Sequence, residues 1–388
     1  MQFWSNPRMR IFLPRAQALT RPVGKDQNRM RSAGNLRAWI SDLLPDAGRC
    51  AQHAAAALVQ SMLLSFTTLL TQLARQAAND IEGVPGRYQY FSRWLSRPHW
   101  EPDRLYAGLN RQARRWLAQR RQVPLLLDLT DLADTWTVLQ ISFPWERRAL
   151  PLYRAVVQHT APEVQRRALV QAALAFLRAQ LPGPPTRYVL VADRGFPGHW
   201  LIRALRDADW RFVLRVTRRW KVRHPEYTGE LADAPAVAGL VGPRPRRLAG
   251  AAFGRRGKGA GEWSEADLVL YHGEGREEPW YLVTTEPTAA RAVALYRERM
   301  KIECEFRDLK GPFGLDMLAR WQQRERVARF LGLVAVYEWR LALLWVRRQL
   351  RRLRASFTKY GPLSWIRLTR EWIQRQLRLA AHPALARL

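Results

Sequence analysis

From residue 35 to about residue 119, apolar positions recur at three- and four-residue spacing with no strand-like alternation, which predicts a run of helices. The most apolar stretch, residues 54–70, carries Gln60, Ser61, Ser65, Thr67 and Thr68. It is too short and too polar to span a bilayer and reads as a buried helix. The texture changes at Val123. Residues 123–129 form a short apolar run suited to a buried strand, with Asp128 near its end. Two further strands are expected at 135–143 and 148–157, joined by a turn around Pro144 and Trp145. A helix follows at 162–180, broken by Pro-Gly-Pro-Pro at 182–185. Residues 187–192 give a fourth strand that runs into Asp193, and a short helix at 197–208 leads to a fifth strand at 210–216.

The resulting order, β-β-β-α-β-α-β with an acid at the end of the first and fourth strands, is that of a ribonuclease-H-like α/β core. Three meandering strands and two crossover helices give a mixed sheet with helices packed on it. The first and fourth strands are neighbours there, so Asp128 and Asp193 are expected to converge. Residues 218–286 are rich in Gly, Pro and Arg with short strand-like pieces, and read as a β-rich insertion; its basic run at 244–258 suits a solvated loop or a grip on a polyanion. The core resumes at 287–345. A basic arm at 1–34, a helical region at 35–120 with interleaved aromatics and arginines at 88–100, and a basic helical region at 346–388 complete the expected organisation. In the last of these, Arg347, Arg348, Arg351, Arg352 and Arg354 form a basic face.

Charge narrows the partners. The 388 residues carry 64 Lys and Arg against 33 Asp and Glu, a net charge of +31, while 47% are hydrophobic. A globular chain this basic opposes self-association and favours a polyanion, with nucleic acid as the first candidate. Two cysteines, Cys50 and Cys304, support neither a disulfide framework nor a cysteine zinc site and fit a reducing cytoplasm. The seven histidines make no metal-ligand spacing. His199, close to Asp193, suits a helix start or a phosphate contact.

The chemistry gathers near residue 300. On a straight helix, Tyr296, Arg299, Glu303 and Lys310 fall within an arc of roughly 60°, while Glu305 projects about 160° away from Glu303. Taken alone, such a face is an ordinary salt-bridge surface. With Asp128 and Asp193 it becomes a third carboxylate offered beside cations suited to phosphate. Asp131 and Asp134 read as turn or cap residues. Crowded carboxylates repel, and two divalent cations about 3.5–4 Å apart would relieve that repulsion and serve in-line phosphoryl transfer. Oxygen ligands favour Mg²⁺ or Mn²⁺.

The spacing Tyr-x₂-Arg-x₃-Glu-x₆-Lys at 296–310 resembles the signature of bacterial insertion-sequence DDE transposases of the fourth insertion-sequence family. Leu-Asp-Leu-Thr-Asp at 127–131, Ala-Asp-Arg-Gly-Phe at 192–196, Arg-Ala-Leu-Pro-Leu-Tyr at 148–153 and the helical segment at 91–100 are similar to other motifs of that family. The resemblance covers about residues 85–340. It implies cut-and-paste movement of an element bounded by inverted repeats, with Asp128, Asp193 and Glu303 binding two Mg²⁺ and Tyr296, Arg299, Lys310 and Arg194 holding DNA. It further implies double-stranded terminal repeats and target DNA as partners, a homodimer in the DNA complex, and a bacterial cytoplasmic, nucleoid-associated location. Family members with a hairpinned end use an insertion tryptophan to hold a flipped base; Trp220, Trp263 and Trp280 all qualify by position. A metal-dependent structure-specific nuclease and a non-catalytic DNA-binding derivative are the competing expectations. An RNA-binding structural protein leaves the acids unexplained.

Overall fold

The computed structural model describes residues 36–346, apart from 78, 80, 98–100, 197 and 256–261. The arm at 1–34, the basic face after residue 346 and the end of the basic run, from residue 256, therefore lie outside the described residues.

Five helices lead the chain: α1 (Leu36–Leu43), α2 (Arg49–Ser65), α3 (Leu70–Gln76), α4 (Val84–Ser96) and α5 (Pro102–Ala118). In α5, Pro102 at the first turn and Asp103 beside the helix N-terminus favour initiation. Leu105, Leu109, Ala113 and Leu117 then repeat every four residues to give one buried stripe. The stripe closes on α1 at Gly108, where any Cβ would run into the Leu43 carbonyl. Residues 54–63 of α2 are almost all buried inside this layer. Among the described residues no single helix is long and apolar enough to cross a membrane.

The mixed sheet begins with β1 (Val123–Leu132), β2 (Trp136–Trp145) and β3 (Arg148–Gln158), a meander. The β1–β2 turn takes positive φ at both Ala133 and Asp134, the conformation that matches the twist of a tight hairpin. Then come α6 (Glu163–Gln180), β4 (Tyr188–Ala192), α7 (His199–Asp207) and β5 (Arg211–Arg215). Strands β1, β4 and β5 run parallel, and the order across this part is β3-β2-β1-β4-β5.

The expected first strand is too short. It continues three residues past Leu129, because Thr130 and Leu132 turn inward while pairing with β2 extends to Leu132–Trp136. Asp128 thus sits inside the strand; what ends beside it is the parallel pairing with β4.

Strands β6 (Trp220–His224), β7 (Tyr227–Glu230), β8 (Arg246–Arg255), β9 (Trp263–Tyr271) and β10 (Trp280–Thr284) continue the same sheet. Antiparallel pairing of β10 with β5 joins the two parts, so all ten strands run β3-β2-β1-β4-β5-β10-β9-β8-β6-β7. Much of the basic run at 244–258, read from sequence as a loop, is strand β8. Its residues alternate against β9, with Leu248, Ala251 and Phe253 buried.

Helices α8 (Ala289–Glu298) and α9 (Met300–Lys310), a 3₁₀ segment Leu315–Arg320 and α10 (Arg324–Val346) complete the described chain. Helix α10 packs on β3 and on α2 and α5, burying residues 330–342 on all sides. Trp339 is wholly buried there, and its indole N–H donates to the Pro151 carbonyl at 2.7 Å.

Candidate active site

Three separate pieces of chain build the site. Parallel pairing of β1 with β4 ends at Leu127 opposite Ala192, so the next residue on each strand, Asp128 and Asp193, emerges at the same level. Thr288 caps α8 with a side-chain acceptor for the Arg291 N–H. That helix crosses β1, β4 and β5, and α9 continues onto β1, β2 and β3.

The single straight helix expected over 296–310 is broken at Arg299. The Arg299 and Ile302 N–H groups reach back only three residues, to Tyr296 and Arg299, which tightens the turn between the two helices. The break does not scatter the face. Tyr296 Oη donates to Asp193 Oδ1 at 2.7 Å. Arg299 Nη1 lies 3.1 Å from Asp128 Oδ2, and Nη2 contacts Glu303 Oε1 while standing 3.8 Å from Asp193 Oδ2. One guanidinium therefore touches or neighbours all three acids. Arg299 is 8% exposed, and its Nε is buried without a hydrogen-bond partner among the described residues.

This arrangement splits the two aspartates. Burial pushes Asp128 up to about 6, helped by the charges of Asp193 and Glu303 and opposed by Arg299 and the Leu129 N–H. Burial also acts on Asp193, but Arg299, the Tyr296 hydroxyl, the Arg194 N–H and Arg215 outweigh it and hold that carboxyl below its ordinary value. Arg215 Nη1 is 3.8 Å from Asp193 Oδ1. The Tyr296 phenol is raised by burial and by Asp193. Two neighbouring acids pushed in opposite directions are a recurrent mark of acid–base or metal chemistry.

The donor set, three carboxylates on rigid elements, suits a hard divalent cation. Among the described residues, however, no group of three acid, histidine or cysteine side chains is arranged closely enough to hold a metal as it stands. Arg299 supplies the neutralising charge between them.

The remaining expected contacts are engaged within the protein. Lys310 Nζ donates to the Asp131 carbonyl and stands 3.9 Å from Asp316 Oδ1. Arg194 pairs with Glu278 at 2.7 Å, and Arg215 shares the same carboxylate at 3.2 Å. Asp131, expected in a turn, lies instead within β1, where its carboxylate accepts from the Thr137 hydroxyl of β2 at 2.6 Å. His199 starts α7 but is buried, 2.8 Å from Ser264 Oγ and packed against Trp220; this position offers no surface for phosphate. Of the three tryptophans, Trp220 is buried, Trp280 packs edge-on against Tyr296 with the Arg276 guanidinium over its ring, and Trp263 is half-buried under Arg223.

Behind the site lies a network that sequence reasoning missed. Arg154 on β3, wholly buried, pairs with Glu305 of α9 and Glu338 of α10, each at 2.7 Å. Gln140 of β2 donates to both Glu305 oxygens at 2.9 and 3.0 Å and accepts from Arg154 at 2.5 Å. Burial and the adjacent Glu338 raise Glu305 well above its ordinary value. The residue facing away from Glu303 is therefore an anchor for α9 in the interior. An arginine in the middle of an otherwise apolar strand was the available signal, because a buried charge requires a partner.

Residues 153–339 match the family model described as Transposase DDE domain, a span holding Asp193, Glu303 and Arg299 and starting after Asp128. Among solved structures, the chain resembles a piggyBac transposase seen by cryo-EM in a synaptic complex with hairpin DNA. That likeness has 10% identity and a TM-score of 0.43, covering 86% of this chain and 73% of the other. No curated protein sequence matches the chain.

Proposed function

Taking as premise that the chain is an enzyme with a transposase DDE domain, we propose that it cuts and rejoins the terminal inverted repeats of an insertion sequence. In this reading it belongs to the Tyr-Arg-Glu-Lys type, moves its element by cut and paste, and works as a homodimer on paired DNA ends in a bacterial cytoplasm. The observation that carries the proposal is the convergence of Asp128, Asp193 and Glu303, from three distant pieces of chain, on the single buried guanidinium of Arg299. The strand order β3-β2-β1-β4-β5 supports a ribonuclease-H-like core, with β6 to β10 as the insertion and the helical region at 35–120 as a DNA-binding part.

Two divalent cations, Mg²⁺ or Mn²⁺, held by the three carboxylates would activate the attacking oxygen and stabilise the leaving one. The chain's own residues prepare that site. Tyr296 fixes the Asp193 carboxylate, Arg299 holds Asp128 and Glu303 together, and the Arg154 network keeps α9 on the sheet. On meeting DNA, Tyr296, Arg299, Lys310 and Arg194 would take phosphate contacts in place of their present partners.

The test uses labelled duplexes carrying the repeats that flank the gene, with wild-type protein and Glu303→Ala, in Mg²⁺, Mn²⁺ and chelator. Metal-dependent cutting at the repeat tip, lost in the variant, is expected. Cutting indifferent to the repeats would mean a nuclease instead, and binding without cutting in either metal a non-catalytic DNA-binding protein.

A further inference from the structure

Beyond Lys310 the chain forms a groove that the chemistry above does not use. It has a volume of about 470 Å³ and is lined by Tyr88 of α4, by Arg320, Trp321, Gln322 and Gln323, and by Arg326 of α10. Trp321 is a fixed platform. Its carbonyl accepts the Trp136 indole N–H at 2.9 Å, and its ring meets Phe330 edge-on. The Arg326 guanidinium lies 4.2 Å from the ring centroid and also donates to Ser92 Oγ at 3.1 Å. Arg320, Gln322 and Gln323 are exposed. A stacked arginine–tryptophan pair beside a second arginine and two amides combines phosphate-binding cations with groups able to read base edges.

The groove also stands in line with the site. Trp136 pairs with Leu132 at the far end of β1, four residues beyond Asp128. At about 3.3 Å per residue that is roughly 13 Å along the strand. Lys310 lies between, on the Asp131 carbonyl.

We propose that this groove is a DNA-binding subsite, gripping duplex roughly four base pairs from the bond cut beside Asp128, given about 3.4 Å per base pair. The inference rests on the transposase reading for the location of the cut, and its own readout is DNA affinity.

Affinity for a repeat-end duplex is measured by fluorescence anisotropy across a salt series. The proteins are wild type, Arg320→Gln, Arg320→Gln/Arg326→Gln, and Arg178→Gln, which removes an exposed charge from α6. Arg320 is exposed, so the single variant tests the groove even where the double variant does not fold. The groove predicts weaker binding for Arg320→Gln and a loss of about tenfold or more for the double variant, with the salt slope reduced by about 0.9 per lost phosphate contact. Arg178→Gln should stay close to wild type. Trimming the duplex to about three base pairs on each side of the cut should erase the difference between wild type and the groove variants. Groove variants indistinguishable from Arg178→Gln, or a difference that survives trimming, would overturn the inference. Failure of wild-type protein to cut the ends would instead overturn the proposed function while leaving the affinity comparison readable.

Discussion

Replacing Arg299 by glutamine removes the one cation shared by three carboxylates, and its cost can be worked from their burial. The side chains of Arg299, Asp128, Asp193 and Glu303 are 10%, 16%, 27% and 34% exposed. Removing one partner from a fully buried ion pair costs about 3–5 kcal/mol. Since two of these acids are partly wet, Arg299→Gln is expected to cost less than that, about 2–3 kcal/mol at pH 8 without divalent metal. For a fold of about 300 residues that is a fall of roughly 3–5 °C in melting temperature. The penalty should shrink at pH 5, where Asp128, already pushed up to about 6 by burial, carries its proton and the repulsion eases. Millimolar Mn²⁺ should stabilise the variant more than wild type, because in wild type the metal must first displace the guanidinium. Thermal unfolding at both pH values, with Mn²⁺ and with chelator, checks each part. A variant melting within about 1 °C of wild type at pH 8 in chelator, or an equal Mn²⁺ shift in both proteins, would refute the reasoning.

Two further outcomes are expected. Glu305→Ala should destabilise by about 3 kcal/mol, since it leaves Arg154 with a single acid in a dry interior, whereas Glu305→Gln keeps the shape and should cost less; equal chemical denaturation midpoints for the two variants would contradict this. In metal-free protein, folded Asp128 holds its proton more tightly than the unfolded chain does, because burial raises it from 3.8 to about 6. Its contribution is therefore fully present below about pH 4 and is lost as pH rises through about 6. The lowered Asp193 acts only below its ordinary value, outside that window. Urea unfolding between pH 4 and 7 should show the decline in wild type and a flatter profile in Asp128→Asn.

The strand meander, both crossover helices and the positions of Asp128 and Asp193 were legible because apolar runs bounded by turn residues survive without knowledge of the neighbours. The break at Arg299 was not, since no glycine or proline marks it and helical arithmetic assumes a straight axis. Glu305 shows a different limit. Its direction away from Glu303 was readable, but whether that direction faced water or the interior depended on Arg154 and Glu338, more than 30 residues away on other elements. The basic run before residue 256 misled because its arginines drew attention from Leu248, Ala251 and Phe253, the alternating positions that make it a strand.

The union of β10 with β5 bears on what happens to shortened copies of the chain. Strand β5 obtains its outer partner from residues 280–284, synthesised about sixty-five residues after it. A chain cut short before that point would carry both aspartates yet leave a row of unpaired N–H and C=O groups along β5, the kind of exposed edge that recruits other strands. It would also lack Glu303 and Arg299. Premature termination before residue 280 should thus yield protein that lacks the third acid and is insoluble because β5 keeps an open edge.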